Sequence, residues 1–191
     1  MAGTATYTVV LDANVLYPIS VIDLILSLAG TNLFHARWSD NIEREAARNL
    51  AEKRPALADK IPGRFEAMRR AIPDCIIGHF DHIIESLQLP DPDDRHVLAA
   101  AIVGHADAIV TFNLKDFPVN YVSQFGIDVL HPDDFVMNQI DLNQVACLGA
   151  IKAMRAGWNS PAYTAMELAD FYSKIGLTQT SDFLRSAIKL I

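Results

Sequence analysis

The sequence has few cysteines, no long apolar run and no excess of positive charge, and each absence excludes a class of protein. Cys75 and Cys147 are the two cysteines in 191 residues, and they show neither metal-ligand spacing nor a disulfide framework. No apolar stretch is long enough to span a bilayer, and no basic segment precedes an apolar leader. We therefore expect a cytoplasmic protein that neither crosses a membrane nor carries a secretory signal.

The formal net charge of −7 argues against nucleic-acid binding over the whole surface, but the basic residues are unevenly distributed. Residues 44–70 contain eight of the 16 lysines and arginines and only four acids. Such a stretch is suited to contacts with phosphate groups. A pair of solvated helix faces explains the same charges equally well.

Short β-branched runs alternate with longer helical patterns, which predicts parallel βαβ units. Strands are predicted over residues 7–11, 33–38, 75–77, 108–111 and 127–130, and helices over residues 18–30, 41–53, 62–72 and 91–104. Asp40 and Glu43 have capping-box spacing at the start of the second helix. No glycine-rich turn follows the first strand, which disfavours a dinucleotide-binding Rossmann domain.

The chain changes character from Asp141 onward, where only helical patterns remain. Helices are predicted over residues 142–156, 161–172 and 181–190, the second of them capped by Ser160 before Pro161. Apolar positions such as Leu142 and Val145 form stripes that we expect to be buried in the domain's own core, in a homodimer contact or against a helix of a partner protein. The sequence thus divides into an α/β domain over residues 1–138 and a helical extension over residues 139–191, packed on the domain or on a partner.

Four acidic residues stand where a parallel sheet would bring them together. Asp12 directly follows the first predicted strand, Asp116 comes shortly after the fourth, and Glu45 and Asp94 lie in early turns of helices. Sites of parallel α/β sheets form at the carboxyl ends of the strands. Neighbouring carboxylates repel one another, so they favour a hard cation such as Mg²⁺ or Mn²⁺. Such an ion activates water and neutralises phosphate charge, which indicates phosphodiester hydrolysis.

Each acid also has a purely structural interpretation. Asp91 before Pro92 is typical of a helix N-cap, and Asp94 would then complement the helix dipole. Glu45 has ion-pair spacing to Arg48, and an acid before Phe-Pro is a common turn residue. Asp12 is the exception, because an acid at the end of a buried strand is costly unless something satisfies it.

Taken in order, four segments resemble the PIN-domain family, and especially the branch of VapC-like toxin ribonucleases from VapBC toxin–antitoxin pairs. The first segment is Val-Leu-Asp-Ala-Asn-Val-Leu at residues 10–16, and the second, at residues 38–50, contains Trp38-Ser39, Glu45 and Arg48-Asn49-Leu50. The third is Leu-Pro-Asp-Pro-Asp-Asp-Arg-His at residues 89–96, followed by the Ala-rich residues 97–101. The fourth is Ala-Asp-Ala-Ile-Val-Thr-Phe-Asn-Leu-Lys-Asp-Phe at residues 106–117. The resemblance covers about residues 7 to 135.

The resemblance implies a PIN-like α/β/α sandwich with a central parallel sheet and a C-terminal helical extension, the PIN nuclease domain being residues 1–138. It implies a metal-dependent endoribonuclease, the toxin of a type II toxin–antitoxin pair, that uses Mg²⁺ or Mn²⁺. The implied partners are an RNA substrate and an antitoxin protein, with a homodimer as a further possibility. Attack by water would leave a 5′-phosphate and a 3′-hydroxyl.

Carried over residue by residue, the resemblance makes Asp12, Glu45 and Asp94 the central acids and Asp116 the fourth. Many PIN domains have Asp where this sequence has Asn113, which leaves the fourth ligand open. The secondary polar candidates are Asn14, Ser39, Asp91, Asp93, Thr111 and Asn113. The candidate RNA contacts are Arg44, Arg48, Arg95, His96 and Lys115.

Two other functions remain open at this point. The first is a PIN fold that binds RNA or protein with little or no cleavage, which the overall acidity and Asn113 leave possible. The second is a haloacid-dehalogenase-like phosphohydrolase, which also begins with a strand ending in a catalytic Asp. That chemistry needs a second Asp two residues later, where this chain has Asn14.

Overall fold

The computed structural model describes residues 7–159 and 161–191, and a five-stranded parallel sheet forms its centre. The strands are β1 (Thr8–Leu11), β2 (His35–Ser39), β3 (Ile76–Ile77), β4 (Ala108–Val110) and β5 (Asp128–Leu130). They lie in the order β3-β2-β1-β4-β5, and every neighbouring pair is parallel. With helices flanking this sheet, the predicted α/β/α class is confirmed.

Eleven α-helices accompany the sheet in the described part of the chain. They are α1 (Ala13–Leu16), α2 (Ile19–Ala29), α3 (Asp40–Lys53), α4 (Ile61–Ala71), α5 (Asp81–Ile84), α6 (Arg95–Val103), α7 (Val119–Val122), α8 (Pro132–Leu142), α9 (Gln144–Gly157), α10 (Ala165–Lys174) and α11 (Thr178–Ser186). Short 3₁₀ turns occupy Pro55–Lys60, Pro92–Asp94, Leu114–Asp116 and Ser123–Phe125.

The register of the two central strands determines where polar side chains emerge. Leu11 of β1 lies opposite Val110 of β4, so the next residues, Asp12 and Thr111, leave the sheet side by side. The backbone N–H of Asp12 still donates to the Val110 carbonyl oxygen at 3.1 Å. Both strands are apolar and buried at these positions, as expected for a parallel sheet covered on both faces.

The helices α3 and α6 bring further polar residues to the same region. α6 packs against β1, β2 and β4 through the buried residues 97–101, three of which are alanines. These small side chains allow the helix to approach the sheet closely. α3 contacts β2, α1 and α6, and Ser39 begins it by accepting the N–H of Ile42 at 3.2 Å. Ser39, and not the predicted Asp40, is therefore the N-cap.

The backbone contacts divide the chain into two compact units. The first contains residues up to 22 and residues 34–131, and so holds the whole sheet; the second contains residues 23–33 and 132–191. In the second unit Asp133 is 3% exposed and lies in the first turn of α8. Its carboxylate accepts the backbone N–H groups of Gln179 at 2.8 Å and Thr180 at 2.9 Å, tying the start of α11 to α8. The predicted division at residue 138 stays a prediction.

The C-terminal helices differ from the predicted ones in several places. α8 was not predicted, although Pro132 and two acids at its start are ordinary helix-start signals. Leu142 and Val145, on either side of the break between α8 and α9, are 68% and 83% exposed, so their predicted burial within the chain's own core is wrong. Burial of these two residues against a partner stays a prediction. α10 begins at Ala165, after a capping box of Thr164 and Glu167. The predicted cap at Ser160 lies outside the described residues.

α11 also spans Thr178–Ser186 and so starts and ends earlier than the predicted helix at 181–190. In the described ranges, no helix combines the length and the apolar character needed to cross a membrane. Cys75 and Cys147 are both buried and free of disulfides.

Candidate active site

Asp12 is the most deeply buried of the four predicted acids, with 3% of its surface exposed. It caps the short helix α1, and its Oδ1 accepts the backbone N–H of Ala13 at 2.6 Å. Burial raises the pKa of the Asp12 carboxyl to about 6, while hydrogen bonds from Thr111 and Ala13 act in the opposite direction. A negative charge here is therefore held by directed hydrogen bonds but is costly at neutral pH.

Asn14 and Thr111 hold the second oxygen of Asp12 in place. The Asn14 amide donates to Asp12 Oδ2 at 2.6 Å, and the Thr111 hydroxyl donates to the same oxygen at 2.7 Å. Asn14 Oδ1 in turn accepts the backbone N–H of Phe112 at 3.0 Å. Asn14 and Thr111, which the sequence offered as secondary polar residues, both contact Asp12, and their role in orienting ligands or water stays a prediction.

Asp94 ends the 3₁₀ turn that leads into α6. Asp91 caps this turn by accepting the N–H of Asp93 at 2.9 Å, so the structural interpretation of Asp91 is confirmed. Burial raises the pKa of Asp94 to about 7, and the negative charges of Asp12, Asp91, Asp116 and Glu45 raise it further. Within the described residues, the buried Oδ2 of Asp94 has no hydrogen-bond partner.

Glu45 reaches the site from the second turn of α3 and contacts α6. Its Oε2 lies 3.3 Å from His96 Nε2, and both side chains are partly buried. The interpretation of Glu45 as an ion-pair partner of Arg48 is wrong, because no described contact joins those two side chains. Glu45 is instead fixed across the interface between α3 and α6 by His96.

Asp116 ends the 3₁₀ turn after β4, and its carboxylate accepts a hydrogen bond from the Asn113 side-chain amide. The backbone N–H of Asn113 donates to Thr111 Oγ1 at 2.9 Å. The neutral Asn113 thus supports the neighbouring acid. A carboxylate at position 113 would instead repel Asp116.

A cleft of about 610 Å³ opens beside these acids. Its lining residues are Asn41, Arg44, Glu45, Arg48, Asp91, Asp93, Asp94 and His96. Of the predicted RNA contacts, Arg44, Arg48 and His96 line this cleft, while Arg95 and Lys115 do not. Sequence reasoning missed Asn41, although it precedes Glu45 by four residues and so had to share its helix face.

The acids are gathered from four separate segments of the chain, but they are not in mutual ligand positions. Asp12, Glu45, Asp91 and Asp116 all lie close enough to raise the pKa of Asp94. Across the described ranges, however, no three His, Cys, Asp or Glu side chains converge as a ready metal-binding group. The arrangement is a concentration of negative charge with one unsatisfied buried oxygen, which is suited to a cation.

Comparison with known protein families agrees with this geometry. The family model described as "PIN domain" matches residues 8–115, which include the strands β1 to β4 and the acids Asp12, Glu45 and Asp94, and end one residue before Asp116. The chain belongs to the PIN-domain family. A second family model, described as "VapC50 C-terminal domain", matches residues 132–186 and so covers α8 to α11 of this PIN-domain protein.

A curated relative of this PIN-domain protein comes from Mycobacterium tuberculosis (strain ATCC 25618 / H37Rv) and bears the name "Putative ribonuclease VapC50". The two are 44% identical over 77 residues, which is 40% of this chain and 46% of the relative. The chain thus aligns with about half the length of the relative. No solved structure matches this chain.

Proposed function

We propose that this PIN-domain protein is a metal-dependent endoribonuclease. The observation that carries the proposal is the buried, unpartnered Oδ2 of Asp94, which lies within the electrostatic reach of Asp12, Glu45 and Asp116. Such an arrangement is unfavourable unless a cation compensates it. The name of the Mycobacterium tuberculosis relative, a ribonuclease, supports RNA as the substrate.

Divalent-metal dependence is general among PIN-domain ribonucleases and fits the oxygen-only chemistry of these side chains. Asp12, Asp94 and Asp116 would hold the ion, with Glu45 completing the site. Carboxylate ligands suit Mg²⁺ or Mn²⁺ better than the softer metals. When bound, the ion would supply charge neutralisation at the phosphate and lower the pKa of a water molecule.

The other residues of the site act on these acids. Asn14 and Thr111 orient Asp12, His96 holds Glu45, and Asn113 holds Asp116. Supports of this kind determine where carboxylates point, and their loss is felt strongly in metal sites. A water oxygen would attack phosphorus as the bond to the 3′-oxygen breaks; the water would lose one proton and the leaving 3′-oxygen would take up one. The products are a 5′-phosphate and a 3′-hydroxyl, without participation of the ribose 2′-hydroxyl.

We further propose that the protein is the toxin of a type II toxin–antitoxin pair and acts in the cytoplasm. The matches to VapC50 and to its C-terminal domain support this biological setting. An antitoxin protein, and a second copy of the chain, are the partners to be sought. The functional division into a nuclease domain at residues 1–138 and an extension at residues 139–191 belongs to the same proposal.

The proposal predicts cleavage that depends on both the metal and the acids. Wild-type protein with Mg²⁺ or Mn²⁺ should cut members of a structured RNA panel and leave 5′-phosphates. Asp12→Asn and Asp94→Asn should each lose cleavage by at least about a hundredfold, since ligands and electrostatic groups at such sites contribute a few kcal/mol each. EDTA should abolish the wild-type activity. Product ends are checked by enzymes that ligate only 5′-phosphorylated RNA.

Asp93→Asn is the matched control, because Asp93 is exposed and adjacent to Asp94 but raises no pKa in the site. It should reduce cleavage less than Asp94→Asn does. If cleavage survives in both Asp12→Asn and Asp94→Asn, the nuclease site is misassigned. The assignment of Asp94, and not of its neighbour Asp93, as the acid that holds the ion fails if Asp93→Asn is the more damaging variant.

A second function is a PIN-fold module that binds RNA or protein with weak or no cleavage. The lack of a ready metal-binding group among the described side chains favours it, as does the neutral Asn113. Measurable RNA binding by a folded protein that cuts nothing with any divalent metal would favour this module. The dehalogenase-like reaction has less support, because Asn14 donates its amide to Asp12 and has no acid to offer.

A further inference from the structure

The cleft is lined by two arginines that form no ion pair among the described residues. Arg44 and Arg48 are exposed residues of α3, and they line the same cleft as Asp91, Asp93 and Asp94. Neither arginine forms an ion pair with those acids among the described residues. Guanidinium groups left unpaired beside a dense group of carboxylates indicate a further, anionic occupant of the cleft.

The two arginines differ in how they are held. Arg44 is preorganised, because its Nη2 donates to Asn41 Oδ1 and its Nε donates to the Asp40 carbonyl oxygen at 3.3 Å. Arg48 makes no side-chain hydrogen bond or ion pair within the part of the chain that the structure describes. The Arg44 guanidinium is therefore held in one orientation before a ligand binds, whereas the Arg48 side chain is free to reorient toward a ligand.

Their spacing suits one strand of nucleic acid. Four residues of α-helix rise about 6 Å, which is comparable to the separation of adjacent phosphates along an extended strand. The cleft volume of about 610 Å³ is that of a pocket for one drug-sized molecule, so it admits a nucleotide or two of one strand.

We propose that Arg44 and Arg48 bind two consecutive phosphates of a single RNA strand that runs along α3, beside the phosphate to be cut. The sugar-phosphate backbone of the strand would lie against Arg44 and Arg48, while the scissile phosphate faces the acids. This assignment rests on the proposed nuclease function for the identity of the polymer. Arginine is well suited to the task because its planar fork makes two hydrogen bonds to one phosphate.

The test is the salt dependence of binding, measured by fluorescence anisotropy with a short fluorescein-labelled oligouridylate in EDTA, so that no cleavage occurs. The plot of log affinity against log salt has a negative slope, and each phosphate that the protein no longer neutralises should decrease its steepness by about 0.7. Arg44→Ala and Arg48→Ala should each show this decrease, and the double variant about twice as much. Arg48→Lys should keep the wild-type slope, because a lysine retains the charge.

Arg54→Ala is the control, because Arg54 is an exposed arginine at the end of the same helix and does not line the cleft. The proposal is overturned if Arg44→Ala and Arg48→Ala keep the wild-type slope, if Arg54→Ala decreases its steepness equally, or if the wild type does not bind. Shallower slopes in a protein that never cleaves RNA would leave this proposal standing and remove the nuclease. Metal-dependent cleavage together with unchanged slopes in Arg44→Ala and Arg48→Ala would overturn this proposal and leave the nuclease function standing.

Discussion

Asp12 and Asp94 each have a raised pKa, but for different additional reasons. Burial is the main cause at both, yet Asp12 is stabilised by hydrogen bonds from Thr111 and Ala13, whereas Asp94 is opposed by four other carboxylates. Asp94 also has the unpartnered oxygen. In the metal-free protein the site is therefore strained at neutral pH, and Asp94 is the residue at which a cation would give the greatest relief.

The raised pKa values of Asp12 and Asp94 make the free energy of unfolding depend on pH. The pKa of about 6 for Asp12 and of about 7 for Asp94 in the folded protein both exceed the unfolded value of roughly 3.9. Between about pH 4 and 7 the native state binds more protons than the unfolded state. The stability contributed by these carboxyls is thus present at acid pH and is lost as pH rises through 6 and 7.

Asp94→Asn should therefore stabilise the metal-free protein at about pH 8 while removing cleavage. We expect the free energy of unfolding to rise by about 1–2 kcal/mol, discounted for solvent screening at a partly exposed side chain. The gain should shrink toward about pH 5, where the wild-type carboxyl is protonated. Urea unfolding in EDTA at both pH values measures it.

Asp93→Asn is again the comparison, since an exposed surface substitution is usually within ±0.5 kcal/mol. A stability change for Asp94→Asn that is the same at both pH values would contradict the assigned origin of the raised pKa. So would destabilisation at about pH 8, because it would mean that the charged form is the favoured one.

At the scale of elements, α3 links the C-terminal end of β2 to the cleft. Its first residue follows β2 directly, and its second and third turns carry Glu45 and Arg48. Arg69 of α4 binds both Asp40 and Glu43 at the start of this helix, at 2.7 Å and 2.8 Å. The orientation of Glu45 thus depends on a helix that is anchored at its N-terminus by Ser39 and from the side by Arg69.

Ser39→Ala should lower the free energy of unfolding by about 1 kcal/mol, within the usual range of roughly 0.5–2 for removal of an N-cap. Asp40→Ala should cost less, because it removes an exposed ion pair with Arg69, and such pairs contribute roughly 0–1 kcal/mol. Chemical denaturation of both variants decides the order. The capping assignment is wrong if Asp40→Ala is the more destabilising of the two.

At the scale of the whole molecule, metal binding and folding are linked. A cation that binds the native acids and not the unfolded chain raises stability by mass action. Because carboxylate ligands must lose their protons, Mg²⁺ should raise the Tm more at about pH 8 than at about pH 5. Differential scanning fluorimetry with Mg²⁺ or with EDTA measures the shift.

Asp94→Asn should remove most of this metal-induced shift, and Asp93→Asn should retain it. An equal rise of Tm at both pH values, or a rise that persists in Asp94→Asn, would place the ion elsewhere on this acidic surface. The readout is independent of cleavage, so it tests the metal site even if the RNA target is unknown.

The order and type of the central elements followed from local sequence. A short β-branched apolar run, such as Thr-Val-Val-Leu at residues 8–11, predicts a buried strand, and its alternation with helical patterns predicts a parallel sheet. The ends of the strands then predict where acids such as Asp12 leave the sheet. The family resemblance added Glu45, Asp94 and Asp116 to the predicted site. The C-terminal helix boundaries were less predictable, because α8 and α9 form one continuous helical pattern that breaks at a single residue, Asn143.

Only the tertiary structure decided which contacts each acid makes. The sequence determined that Asp12, Glu45, Asp94 and Asp116 follow strands or begin helices, because those positions depend on local periodicity and capping. It did not determine that His96 holds Glu45, that Asn113 supports Asp116, or that Asp94 keeps an unpartnered buried oxygen. Those facts arise from segments that lie far apart in the chain, whose relation depends on the register of β1 with β4 and on the packing of α3 against α6.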